Sequence, residues 1–142
     1  MDEIKISEFK ADEKTSGLQF FESRVQAGFP SPAQGEYADS IDLNRALITN
    51  PAATFCARVI GNSMVDAGIN EGDLLIIDRS VDPHDGSIAV CFIDGDFTVK
   101  RLSVRDDGVF LTPANADFPE LRVDENSNFQ VWGVVSHIIK KV

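Results

Sequence analysis

The residues best suited to chemistry are a serine and a lysine, Ser63 and Lys100. Ser63 stands in GNSMVDAGINEGDLLIID, among turn-forming residues and just ahead of a strand-like run. A serine hydroxyl is a poor nucleophile until a neighbouring base takes its proton. Asn62, Ser63, Asp66 and Gly68 are also ordinary turn residues, so GNSM alone says little. The candidate bases are His84, His137 and a lysine. A Ser-His-Asp triad would use His84 with Asp82 or Asp85, but VDPHDG reads as a polar proline turn with an exposed histidine. His137 alternates within a C-terminal strand-like run and reads as structural or surface. Lys100 lies in DGDFTVKRL, where period-two alternation groups it with Thr98 and Leu102 and sends Phe97, Val99 and Arg101 to the other face. A lysine sharing a face with leucine can point inward, and enclosure disfavours an ammonium, which suits a general base. The competing reading is a surface lysine beside Arg101.

Short β runs would position these residues: 54–60, 73–78, 87–93, 96–102, 109–112, 121–123 and 129–139. Asp94-Gly95 and Asp107-Gly108 are hairpin signals between such runs. One helix is expected over 40–49, with Ser40 as its cap, Asp42 in the first turn and Leu43, Ala46 and Leu47 on one face; Asn50-Pro51 ends it. Residues 1–16 mix charges without sustained periodicity and read as a mobile arm. Leu18, Phe20, Phe21 and Val25 form an apolar cluster that docks or makes a helical turn or two. AGFPSP then reads as an extended linker between arm and domain, because proline removes donors and biases its predecessor away from helix. In FQVWGVVSHIIKKV, alternation puts Val131, Val135 and Ile139 on one side and Trp132, Val134 and Ile138 on the other. Such a strand is either buried on both faces in one core or packed on one face against a second subunit.

A chain of 142 residues, 43% hydrophobic and 25% charged, has the size and composition of one soluble domain with tails. Its net charge of −10, from 23 acids against 13 Lys plus Arg, argues against holding a phosphate backbone and for a protein partner. Cys56 and Cys91 are far apart, in apolar runs and without clustered histidines; they read as buried thiols, and no metal is expected. The acidic first 27 residues contain no signal-peptide core, and no stretch is long and apolar enough to span a membrane, so a cytoplasmic protein is expected.

GNSMVDAGINEGDLL together with the lysine of DGDFTVKRL resembles the serine-lysine self-cleaving domain shared by the LexA and UmuD proteins. AGFPSPA, SIDLN, LTPANADFP and VWGVVSHII extend the resemblance to UmuD from about Gly28 to the C-terminus. It implies a mainly β, LexA/UmuD-like C-terminal protease domain with one short helix and a flexible N-terminal arm. Residues 1–27 would be the arm removed by self-cleavage, and 28–142 the Ser-Lys peptidase and dimerisation domain. Ser63 would be the nucleophile, Lys100 its unprotonated base, and the bond cut Ala27-Gly28; Ala67-Gly68, beside the nucleophile in its turn, is a poor substrate. The resemblance further implies stimulation by a RecA filament on single-stranded DNA. The trimmed homodimer would serve a UmuC-like Y-family polymerase in SOS mutagenesis, with no cofactor, no specific DNA contacts and no membrane. The alternatives are a non-cleaving interaction module and a LexA-like transcriptional regulator remnant. A repressor needs a helix-turn-helix domain, which 27 residues cannot supply, and a signal peptidase needs an apolar anchor.

Overall fold

The computed structural model describes residues 4–8, 18–20, 39–124, 126 and 128–142. The Ala27-Gly28 bond and the AGFPSP linker lie outside these. In chain order the elements are β1 (Ile4–Glu8), β2 (Leu18–Phe20), β3 (Asp39–Ile41), α1 (Leu43–Leu47), β4 (Thr54–Val59), β5 (Leu74–Asp78), β6 (Ile88–Ile93), β7 (Asp96–Arg105), β8 (Gly108–Thr112), β9 (Leu121–Val123) and β10 (Phe129–Ile139). They fall into two units, Met1–Phe9 with Asn50–Val142, and Lys10–Thr49.

In the smaller unit, β2 pairs antiparallel with β3, Leu18 opposite Ile41. Leu18–Phe20 is thus a strand rather than a helical turn. The helix is shorter than its pattern suggests. Asp42, not Ser40, caps it by accepting the Asn44 N–H at 3.0 Å. Ser40 is committed to β3, and a cap takes hold only where the backbone leaves the strand.

The larger unit is an eight-stranded sheet in the order β1-β4-β5-β10-β6-β7-β8-β9, antiparallel throughout. The mainly β class follows from its short β-branched runs, each near the length expected. Within residues 1–16, the described stretch 4–8 is a strand rather than an unstructured arm: Ile4 to Glu8 pair with Val59 to Phe55, and Ile4 is buried. Charged neighbours mask the alternation of Ile4 and Ile6, which is the only apolar signal so short a strand carries. Asp94 and Gly95, both at positive φ, turn β6 into β7 as the Asp-Gly pair requires. The next turn falls one residue earlier than expected, on Asp106-Asp107, since Gly108 already pairs with Arg105.

Both sheet faces are covered. Val90 belongs to a cluster with Met64, Ile69, Leu75, Ile77 and Val99, whereas its neighbours Ala89 and Cys91 join Leu102 and Leu111 in another. β10 lies between β5 and β6, and its register shifts between Val131 and Gly133 and again between Val135 and His137. Each bulge inserts a residue and reverses the alternation. Trp132, Val135 and Ile138 consequently pack on the first cluster, and Phe129 and Val131 on the second. Strict alternation had put Val131 and Val135 together. β10 is therefore covered on two faces by its own chain. Gly133 is required at the first bulge, because a Cβ there would sit 2.6 Å from Ile77 Cγ2.

Candidate functional site

Ser63 stands on the loop between β4 and β5, which is closed at its base. The Val59 N–H donates to the Asp73 carbonyl and the Gly72 N–H to the Val59 carbonyl, each at 2.9 Å. Within it, Val65–Ala67 form one 3-10 turn that ends on Gly68 in the left-handed region, where glycine carries no Cβ penalty. Met64 and Ile69, 2% and 1% exposed, drive the loop into the first cluster. The serine is thus the neighbour of an anchored side chain. Asp73 secures the far end by accepting the Asn70 N–H at 2.8 Å and pairing with Lys140 near the C-terminus. Burial alone would raise the Asp73 carboxyl, but the Asn70 hydrogen bond and the Lys140 ammonium outweigh it and hold the group below its ordinary range.

Lys100 comes from the middle of β7, where it pairs with Ala89 and so shares the face of Ala89 and Leu102. Its side chain is buried, as is that of Ser63, each residue 5% exposed. Lys100 Nζ lies 3.0 Å from Ser63 Oγ. That is proton-transfer distance in a water-poor setting, the geometry a hydroxyl and an amine need to act as nucleophile and base.

The segment after β8 completes the surroundings. The Asp66 N–H donates to the Ala114 carbonyl at 2.7 Å, the Ala114 N–H approaches Met64 Sδ at 3.3 Å, and Asn115 Nδ2 donates to the Asn62 carbonyl at 2.8 Å. Further along, Phe118 brings its ring centroid within 6.0 Å of Lys100 Nζ. Phe118, Pro119 and Leu121 face Asp96, Phe97, Thr98 and Lys100 across an open cleft of about 250 Å³. A second pocket, of about 10 Å³, lies beside Ser63 between Val59, Gly61, Met64, Ile69 and Val99. It has room for about one water molecule.

His84 and His137 are held elsewhere. His84 is exposed, with Nδ1 2.8 Å from the Asp85 backbone carbonyl, while the Asp85 carboxylate accepts the Val104 N–H. No histidine-carboxylate hydrogen bond of the triad kind forms between those two side chains. His137 Nδ1 lies 2.9 Å from Ser136 Oγ on β10. Burial pushes the Cys91 thiol up to about 12, against a smaller downward pull from Lys100, and raises Cys56 as well; neither is poised as a thiolate. Among the described residues no cluster of His, Cys, Asp or Glu could hold a metal, and no helix is long and apolar enough to cross a membrane.

Asn115, Phe118 and Met64 carry no chemical signature in the sequence. The available signal was the turn-rich LTPANADFP, whose Pro, Asn and Asp residues stop β8 and redirect the chain. What they turn it toward depends on the register of β7 and β8.

The family described as Peptidase S24-like matches residues 19–136. Protein MucA of Salmonella typhimurium is 41% identical over 135 residues, covering 94% of this chain and 92% of the relative. Protein ImpA of Escherichia coli is 46% identical over 121 residues, covering 85% and 82%. Protein SamA of Salmonella typhimurium strain LT2 is 42% identical over 126 residues, covering 89% and 87%.

Proposed function

This chain belongs to the peptidase S24-like family, and from that premise we propose that it is a serine endopeptidase that cuts its own Ala27-Gly28 bond, with Ser63 as nucleophile and Lys100 as general base. The observation that carries the reading is the buried 3.0 Å approach of Lys100 Nζ to Ser63 Oγ. Neutral Lys100 takes the hydroxyl proton as Oγ attacks the Ala27 carbonyl carbon. Backbone N–H groups around Ser63 stabilise the oxyanion. Collapse breaks the Ala27-Gly28 bond, and the lysine returns its proton to the departing Gly28 amine. Water, deprotonated by Lys100, then hydrolyses the Ala27 ester and frees Ser63. The narrow pocket beside Ser63 supports a small residue such as alanine on the acyl side.

Because substrate and catalyst share one chain, the position of residues 1–27 sets their effective concentration, and a partner that shifts this equilibrium controls the rate. That partner is the RecA filament on single-stranded DNA. The trimmed homodimer is an accessory subunit of a UmuC-like, error-prone Y-family polymerase in SOS mutagenesis, in the cytoplasm. A protein-facing role suits a chain of net charge −10.

Intact mass after incubation with activated filament is the test. The expected products are a 27-residue peptide and the remaining 115 of 142 residues. A cut elsewhere, or no cut, overturns the assignment. Gly28→Glu should block cleavage by crowding the approach to Ser63.

A further inference from the structure

Asn115 uses both ends of its side-chain amide. Nδ2 donates to the Asn62 carbonyl at 2.8 Å, and Oδ1 accepts the Asp117 N–H at 2.9 Å. The first bond grips the peptide unit that joins Asn62 to Ser63. The second fixes the turn leading to Phe118, whose ring faces Lys100. A peptide unit is planar, with its C=O and N–H antiparallel, so holding the Asn62 carbonyl also sets the direction of the Ser63 N–H and the entry of the Ser63 Cα. Asn115 arrives there under constraint, because its neighbour Ala114 is tied to Asp66 and to Met64 on the other side of the serine.

We propose that Asn115 is a positioning residue for the Ser63 reaction, acting through its hydrogen bond to the Asn62 carbonyl to hold the nucleophile's peptide unit in the reactive orientation. This rests on the self-cleaving reading above. The bond also polarises that peptide, which strengthens its N–H as a donor to developing negative charge. Because Asn115 acts on a backbone carbonyl, its effect falls on rate rather than on the ionisation that switches the site on.

The test follows alkali-driven self-cleavage of the full chain across pH, with the melting temperature measured alongside. Asn115→Asp keeps the shape of the side chain and the acceptor used by Asp117, but sets an oxygen against the Asn62 carbonyl. At the alkaline plateau, Asn115→Ala should cleave about tenfold more slowly, the loss of roughly one hydrogen bond. Asn115→Asp should be at least as slow. In the alanine variant the pH midpoint should stay where it is in the parent. A plateau rate in Asn115→Asp equal to the parent's would show that only the turn matters and would overturn the proposal, as would a shifted midpoint with an unchanged plateau in Asn115→Ala.

A small fluorophosphonate that labels Ser63 decides the matter should a variant melt early. Labelling is done far below the melting temperature and needs no arm, so slowing by a similar factor supports the proposal and unchanged labelling defeats it. If the parent cleaves no faster than Ser63→Ala, the self-cleaving reading fails and this inference with it. If the parent cleaves and the Asn115 variants match it, only this inference fails.

Discussion

The two halves of β7 hold cations in opposite ways. Lys100, on the half paired with β6, is 5% exposed and meets a hydroxyl. Arg105, on the half paired with β8, has a side chain 45% exposed and grips both Glu120 oxygens at 2.8 and 2.7 Å. The Glu120 hydrogen bond raises Arg105 further above its already high value, and the Arg105 bond holds Glu120 below the ordinary carboxylate range. Arg105 is therefore a fixed charge. An amine facing a hydroxyl can exchange a proton with it, whereas a guanidinium facing a carboxylate cannot. Placement on one strand thus does not decide chemistry; partner and burial do.

The sharpest way to break this contrast is to put arginine where the lysine stands. Lys100→Arg keeps the charge but removes a base that can lose its proton, and should cut self-cleavage by at least about a hundredfold, as should Lys100→Ala. Ser63→Ala should abolish it. The β-rich circular dichroism spectrum should persist in all three. Cleavage by Lys100→Arg at the parent rate would mean that the cation serves only as a charge.

The next effect is on pH. A neutral amine is the required form of the base, so spontaneous cleavage should climb with pH and level off in alkali. A rate that peaks near pH 7 and is lost in His84→Ala would move the base to the exposed loop and dissolve the contrast along β7.

Much of this is legible in the sequence. Alternation in DGDFTVKRL placed Lys100 with Leu102 on a face that proves to be buried, and Asp94-Gly95 marked the turn that brings β7 back on β6. Such signals are local, set by period two and by a single turn. The meeting of Lys100 with Ser63 was not local and was supplied by resemblance, because it depends on how a closed loop and a strand distant in the chain pack together. β10 misled for a related reason: its bulges at Trp132 and Ser136 leave no mark in a run of apolar residues, yet each moves every later side chain to the other face. Asn115 was hidden because its value lies in a carbonyl it reaches across the fold.

Between the extremes on β7 stands the Asp73-Lys140 pair, a charge pair with one buried member, Asp73 being 7% exposed. Because the native Asp73 value is lowered, its stabilisation is complete above the unfolded carboxylate value, about 3.9, and is lost as pH falls through the lower native value. Asp73→Asn should cost about 1–2 kcal/mol at neutral pH in denaturant melts. The gap between parent and variant should close as acid protonates the parent. A gap that stayed constant to low pH would assign the loss to packing rather than to the carboxylate.

The smallest effect should come from the exposed end of β7. Glu120 holds Arg105 and also accepts from Thr112 Oγ1 at 3.0 Å, so Glu120→Gln keeps the shape and one hydrogen bond while removing the charge. Water and salt already screen such a pair, and an arginine with other acidic neighbours in Asp85 and Asp107 does not become isolated. The melting temperature should fall slightly at low salt, and the difference should vanish in molar salt. Cleavage should change by less than about threefold, since an exposed ion pair contributes little to holding the wall that Phe118 and Pro119 form. A tenfold loss of cleavage with an unaltered melting temperature would show that the clamp positions that wall over Lys100. The exposed and buried halves of β7 would then be one coupled device rather than two independent ways of holding a cation.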